Sequence, residues 1–130
     1  MTRAASAGYR AAMRRVIVLL GLAAAVTLAG TALAAGSPKA GKAVWNANGC
    51  GSCHTFKAAG STGMVGPAIT KTRIAADAAK AKKTVPVFVR ASIVSPNAFV
   101  AKGFRKGVMP AYAKLTKKQL DDLVAFVQKG

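Results

Sequence analysis

The chain has 130 residues, and 20 Lys and Arg against three Asp and Glu give it a formal charge of +17. Such a balance speaks about partners and association rates, not about fold; with one Trp and two Tyr there is no base-stacking platform in view, which argues against nucleic acid and for an acidic protein surface or an anionic membrane. Two cysteines and one histidine are too few for a disulfide-stapled scaffold or an ordinary closed zinc site.

At the amino end Arg3, Arg10, Arg14 and Arg15 precede the apolar run "VIVLLGLAAAVTLAGTALAAG". A basic region, an apolar stretch and the small-residue pattern Ala32-Leu33-Ala34 describe a secretory signal peptide over residues 1–35, cut after Ala34 or Ala35. The alternative is an uncleaved anchor, because Val16 to Ala35 approaches the roughly 20 apolar residues that a spanning helix needs. Either way residues 36–130 are expected to work outside the cytoplasm, in the periplasm or at the outer face of the cytoplasmic membrane. The residues flanking Arg14-Arg15 match the twin-arginine route poorly, and general export fits better. Beyond the leader lies one small domain. Four of the 20 basic residues belong to the leader, leaving 16 against Asp77, Asp121 and Asp122, a formal +13.

Pro38 suits a first helical turn, and Ala40, Val44 and Ala47 repeat at helical spacing, which predicts a short helix ended by Asn48-Gly49. The stretch "CGSCH", Cys50 to His54, sits just after it. "TFKAAGSTGMVGPAI" carries three glycines and Pro67 and reads as a loop. From Lys71 to Lys83 the chain is rich in alanine and lysine without a clear apolar face, and reads as loop or marginal helix. In "TVPVFVRASIVSPN" Thr84 can cap, Pro86 lies in the first turn, and Val85, Phe88, Val89 and Ile93 keep helical spacing until Ser95-Pro96. "NAFVAKGFRKGVMPAYAK" is mostly loop. In "LTKKQLDDLVAFVQKG" Thr116 and Gln119 make a capping box, Leu115 and Leu120 can form a hydrophobic staple, and Leu120, Leu123, Val124 and Val127 line one face of a closing helix. Helices at both ends with irregular chain between them predict an all-α domain short of apolar filling. A chain of this size is often supplemented by a disulfide, metal or cofactor.

Three chemistries use Cys-x-x-Cys: a reversible disulfide, half of a zinc site, and covalent haem attachment where His comes directly after. Zinc lacks a second ligand pair, although Asp77 or a second chain could complete a site. Thiol exchange lacks the βαβ context it usually occupies. Covalent haem explains every position. Cys50 and Cys53 can each add across a vinyl group, His54 can ligate the iron, and the haem fills the missing core. Electron-transfer haems commonly take a Met as second axial ligand, and after the leader only Met64 and Met109 remain.

With these residues in hand the chain resembles a small class I cytochrome c. "CGSCH" resembles the haem-binding motif, "GPAI" from Gly66 to Ile69 the family's Gly-Pro-x-Leu, "GVMPAY" from Gly107 to Tyr112 the axial-methionine loop, and "LTKKQLDDLVAFV" the closing helix. The stretch from Val89 to Val127 is also similar to the haem domain of some cytochrome c oxidase second subunits. The resemblance runs in order over residues 38–129. It implies an all-α cytochrome c fold in which the N- and C-terminal helices cross at Gly41 and Phe126 and loops wrap one covalently bound haem c. It implies Cys50 and Cys53 as thioether carriers, His54 as proximal ligand bonded through its other nitrogen to the Pro67 carbonyl, and Met109 as distal ligand; Met64 shares the loop of Pro67 on the His54 side. Tyr112, Trp45 and Arg73 are candidates for the haem propionates; packing behind Pro110 is the alternative for Tyr112, and core for Trp45. The function implied is a monomeric, exported mono-haem electron carrier, not an enzyme, serving an acidic redox protein or a respiratory complex. A tethered haem module of such a complex, and a haem sensor with a labile sixth ligand, are the alternatives. Lys102, Arg105, Lys106 and Lys57 are expected around the haem edge nearest the surface.

Overall fold

The computed structural model describes residues 36–130, so the leader assigned to residues 1–35 lies outside the described residues. Pro38 opens helix α1 (Pro38–Ala47) at a position where its missing N–H costs nothing, and the Ser37 side chain accepts the Ala40 N–H. The helix buries Gly41 and Trp45, not the Ala40, Val44, Ala47 stripe that its spacing suggested: Ala47 is exposed and Ala40 and Val44 only half-buried. One large indole beside one bare Cα outweighs three small aliphatic groups in deciding which side packs.

That bare Cα is the crossing point of the first and last helices among the described residues. Helix α4 (Lys117–Val127) carries the expected capping box, with Gln119 Oε1 accepting the Thr116 N–H and Thr116 Oγ1 accepting the Gln119 N–H. It buries Leu120, Leu123, Val124, Phe126 and Val127. A Cβ on Gly41 would run into the Asp122 carbonyl oxygen and lie 2.7 Å from Phe126 Cβ, so only glycine lets the two backbones approach this closely. Beneath the crossing, Trp45, Phe56 and Phe126 pack edge to face or tilted, with centroids 5.2, 6.1 and 5.0 Å apart. Phe56 has no exposed surface at all.

Between the ends the chain is more ordered than its composition suggests. Residues 71–83, expected as loop or marginal helix, contain helix α2 (Lys71–Lys80), whose Thr70 cap accepts the Arg73 N–H. Its buried face is Ile74, Asp77 and Ala78. A carboxylate and an alanine in that stripe remove the polar contrast by which a helix is recognised. The glycine-rich stretch after His54, expected as loop, makes a minimal hairpin, with β1 (Thr55–Phe56) antiparallel to β2 (Ser61–Thr62) and Gly60 in the left-handed region at the turn. Helix α3 (Val85–Val94) buries Phe88, Val89 and Ile93 as expected, but Thr84 makes no side-chain capping bond.

Helix α3 packs against both α2 and α4. The α3–α4 contact is tied by Arg90 on Asp121, which also meets Lys117 Nζ at 2.8 Å. Asp122 accepts the Ser37 N–H at 2.7 Å and Lys118 Nζ at 2.7 Å, pinning the start of the domain to its last helix. Lys117, then Arg90, hold the Asp121 carboxyl below the usual carboxylate range, and Lys118, then the Ser37 N–H, do the same for Asp122. A carboxyl depressed by folding stabilises the fold above its unfolded pKa of about 3.9 and loses that contribution as pH falls through the lower folded value. Thermal midpoints of the purified protein should therefore be level near neutrality and fall below about pH 4. Asp122→Asn should lower the midpoint at pH 7 and shrink the acid-induced drop; an acid profile parallel to wild type would show that this carboxylate is not part of the linkage.

Candidate functional site

Gly49, in the left-handed region at φ +64°, turns the chain out of α1 into a single 3-10 turn at Cys50–Ser52. Cys53 and His54 both donate their backbone N–H to the Cys50 carbonyl, at 3.3 and 3.1 Å. Five consecutive residues are thus wound into one tight turn, and Cys50, Cys53 and His54 all line the same cavity. Gly51 lies under the hairpin, where a Cβ would come within 2.8 Å of Ser61 Cβ and 3.2 Å of Trp45 Nε1.

His54 is buried and its Nδ1 lies 2.7 Å from the Pro67 carbonyl oxygen. A carbonyl only accepts, so Nδ1 carries a proton and, in the neutral ring, the lone pair lies on Nε2, the tautomer a metal ligand requires. The loop that brings Pro67 here is sewn down on both sides. Gly66 N–H donates to Cys53 O at 2.8 Å, Ile69 N–H to Thr55 O at 2.8 Å, and Thr55 Oγ1 to Gly63 O at 2.8 Å. Gly66 lies flat on the imidazole: a Cβ there would be 2.5 Å from His54 Cε1 and 2.8 Å from Nδ1.

The cavity, about 390 Å³, is walled mainly by apolar groups from α2, α3, α4 and the loop after α3. Met109 reaches it from that loop, whereas Met64 is 86% exposed and is not part of the lining. The loop is held by Asn97 Oδ1 accepting the Gly107 N–H at 2.8 Å and by Tyr112, whose N–H donates to Ile93 O at 3.0 Å. Tyr112 lines the cavity, and its hydroxyl donates to Asn48 O at 3.2 Å, so its proton is already engaged. Burial, and then the two neighbouring cysteines, push its pKa up. Trp45 is a core residue, tilted against His54 with centroids 6.2 Å apart. Of the three side chains considered for an anionic group, Arg73 alone has a buried donor without a partner, its Nε, on the cavity wall. Such a group is costly unless something in the cavity accepts from it.

Other side chains fall differently from expectation. Arg105 lines the cavity while exposed, with Lys102 and Lys106 exposed beside it; Lys57 is exposed but stands outside the lining. Asp77 lines the cavity and is missing from the sequence-derived site, as is Phe104. Both belong to stretches without a readable pattern; the only available signal for Asp77 is its spacing from Ile74 and Ala78 behind the Thr70 cap.

The thiol chemistry separates the alternatives. Burial pushes the Cys50 thiol up, whereas exchange-active Cys-x-x-Cys pairs depend on a depressed thiol pKa. Among the described residues no group of three or more His, Cys, Asp or Glu side chains is placed to hold a metal ion, so a zinc site completed by Asp77 within the chain has no donor set. A cavity bordered by two thiols, an imidazole held through Nδ1, a thioether and a guanidinium whose Nε makes no hydrogen bond fits a planar, largely apolar iron macrocycle with carboxylate side arms.

Among known protein families, the model for cytochrome c matches this chain over residues 38–130. A search of curated proteins finds no match for the chain.

Gly66 yields a test of the proximal arrangement. Gly66→Ala should push the imidazole off Pro67 and cost about 1–3 kcal/mol, the usual range for an overpacked site. Since the chain has a single His, the Nδ1–H resonance of reduced protein reads this directly: slowly exchanging in wild type, shifted or lost in the variant. An unmoved resonance would mean that the ring is held by something other than Gly66 and Pro67.

Proposed function

The chain belongs to the cytochrome c family and has its all-α fold, and from that premise we propose that it is an exported mono-haem c-type cytochrome that passes single electrons between redox partners and is not an enzyme. A haem-bearing electron-transfer protein is what the family supplies; the finer reading rests above all on one cavity bordered by Cys50, Cys53, His54 and Met109. Bound there, the haem supplies reversible one-electron change at iron. Cys50 and Cys53 would hold it by thioether bonds, each thiol adding across one vinyl group. His54 Nε2 and Met109 Sδ would supply the iron's two protein ligands, leaving no open place for a substrate. The Pro67 carbonyl keeps the His54 ring in one tautomer and orientation. Met109 as a thioether ligand, together with the apolar walls, favours the reduced state and raises the potential. Arg73 offers its Nε–H to a propionate; Tyr112, with its hydroxyl on Asn48, serves mainly to tie down the Met109 loop.

Export is inferred from the leader pattern in residues 1–35 and accords with the places where the family usually works. No helix among the described residues is long and apolar enough to cross a membrane. The partner is an acidic redox protein. Asp77, Asp121 and Asp122, the chain's only acidic residues, are all paired internally, so the outer surface of residues 36–130 is dominated by Lys and Arg.

The holoprotein tests the ligand set. Colour should survive acid–acetone extraction, the intact mass should read haem addition and leader removal together, and Cys50→Ala with Cys53→Ala should abolish attachment. Met109→Ala should remove the sulfur-to-iron charge-transfer band, admit carbon monoxide or cyanide, and lower the potential. Met64→Ala should leave all three alone. Haem that extracts freely, or a Met64 variant with the spectrum expected of the Met109 variant, would defeat the assignment.

The charge tests the partner. The Debye length falls from roughly 30 Å at 0.01 M salt to roughly 8 Å at 0.15 M, so electrostatic steering weakens over that range. The second-order rate of electron transfer with an acidic redox protein should fall as salt rises, and reversing Lys102, Arg105 and Lys106 to Glu should flatten or invert the slope. A rate indifferent to salt would leave these side chains as solvated surface.

A further inference from the structure

Helix α2 turns Arg73, Ile74 and Asp77 to the cavity. Asp77 is the only carboxylate among the lining residues, and its side chain is 11% exposed. Burying a carboxylate is costly unless both of its oxygens are hydrogen-bonded, and here only Oδ1 accepts a hydrogen bond, from Lys80. Its Oδ2 stands 3.8 Å from Arg73 Nε, inside ion-pair range but too long for a hydrogen bond. Its Oδ1 meets Lys80 Nζ at 3.4 Å, and the Lys80 side chain is 64% exposed, so water weakens that contact. The Arg73 guanidinium in turn lies over the Phe104 ring, 5.2 Å from its centroid, in the loop that carries Met109. Here the cation lies between a carboxylate and an aromatic face, with Nε making no hydrogen bond, and the carboxylate stands on the cavity wall beside two cations.

We propose that Asp77 sets the reduction potential of the site, through its own charge on the cavity wall and by holding Arg73 against Phe104. The proposal rests on reading the cavity as the haem site. Reduction adds one electron to the cavity, and a fixed anion on its wall opposes that addition, so Asp77 lowers the potential relative to a neutral wall. It also offsets the Arg73 and Lys80 charges, which act the other way. Removing the carboxylate therefore drives the potential upward, because the Arg73 and Lys80 charges then act on the cavity without the anion that opposes them. Because the group is buried, ions in solution screen it little, in contrast to the exposed lysines.

The test is a spectroelectrochemical titration of holoprotein at low and high salt. Asp77→Asn should raise the midpoint potential at both, with the haem mass and the sulfur-to-iron band as in wild type. Asp77→Ser carries the same expectation and serves where the amide variant fails to fold. Asp77→Glu, which keeps the charge, should stay near wild type, and Lys80→Gln should shift the potential only at low salt. An unchanged potential in the neutral variants, a rise that disappears at high salt, or a Glu variant shifted as far as the Asn variant would overturn the proposal. Absence of covalent haem in the wild-type protein would instead overturn the haem reading itself, and the mass spectrum separates the two failures.

Discussion

A single hydrogen bond, from His54 Nδ1–H to the Pro67 carbonyl, decides what the site can be. It fixes which nitrogen of the imidazole is free. It also commits the loop from Gly63 to Ile69 to one path, because Pro67 can face His54 only if Gly66 lies flat on the ring and the flanking amides bond back to Cys53 and Thr55. The minimal hairpin and the buried Phe56 support that path from below. Through Phe56 and Trp45 the same support reaches the crossing of α1 and α4. Ligand, loop and helix crossing are therefore one packed unit rather than three.

The ends of this unit were legible in the sequence and the middle was not. The capping box and apolar stripe of the last helix are local signals, written in residues close in the chain, and α4 obeys them closely. Cys50, Cys53 and His54 were legible for the same reason: their chemistry is expressed by adjacency. For α1 the extent was readable but the packed face was not, since a glycine that matters by having no side chain carries no hydropathic signal. Helix α2 hid because its inner face includes Asp77, whose burial makes sense only beside Arg73 and a cavity that the chain does not write down. Tyr112 illustrates a different limit. Its family resemblance marks it as a site residue, but that its hydroxyl meets Asn48 O, 64 positions away, is a product of tertiary packing alone.

Charge is distributed in a similarly layered way. The aspartates are all inside or at the seams between elements, each holding a basic side chain in place. Among the described residues, the remaining Lys and Arg are exposed and without carboxylate neighbours. The net charge therefore describes the surface more accurately than the average composition suggests, while the few acidic groups act where screening is weakest.

The clasp between Ser37 and Asp122 joins residues 85 positions apart, and together with the Gly41 crossing it makes α1 and α4 a closed ring of chain. The entropy of closing such a ring grows only logarithmically with its length, about 0.6 kcal/mol for each doubling. Lengthening or shortening a connection between the terminal helices thus changes the cost of the clasp by a small fraction. The domain can accept insertions and deletions in its exposed connections while the ends keep their grip, provided that the turn at Cys50–His54 and its Pro67 support are untouched. Variation in length is in this sense inexpensive, and variation in the glycine at the crossing is not.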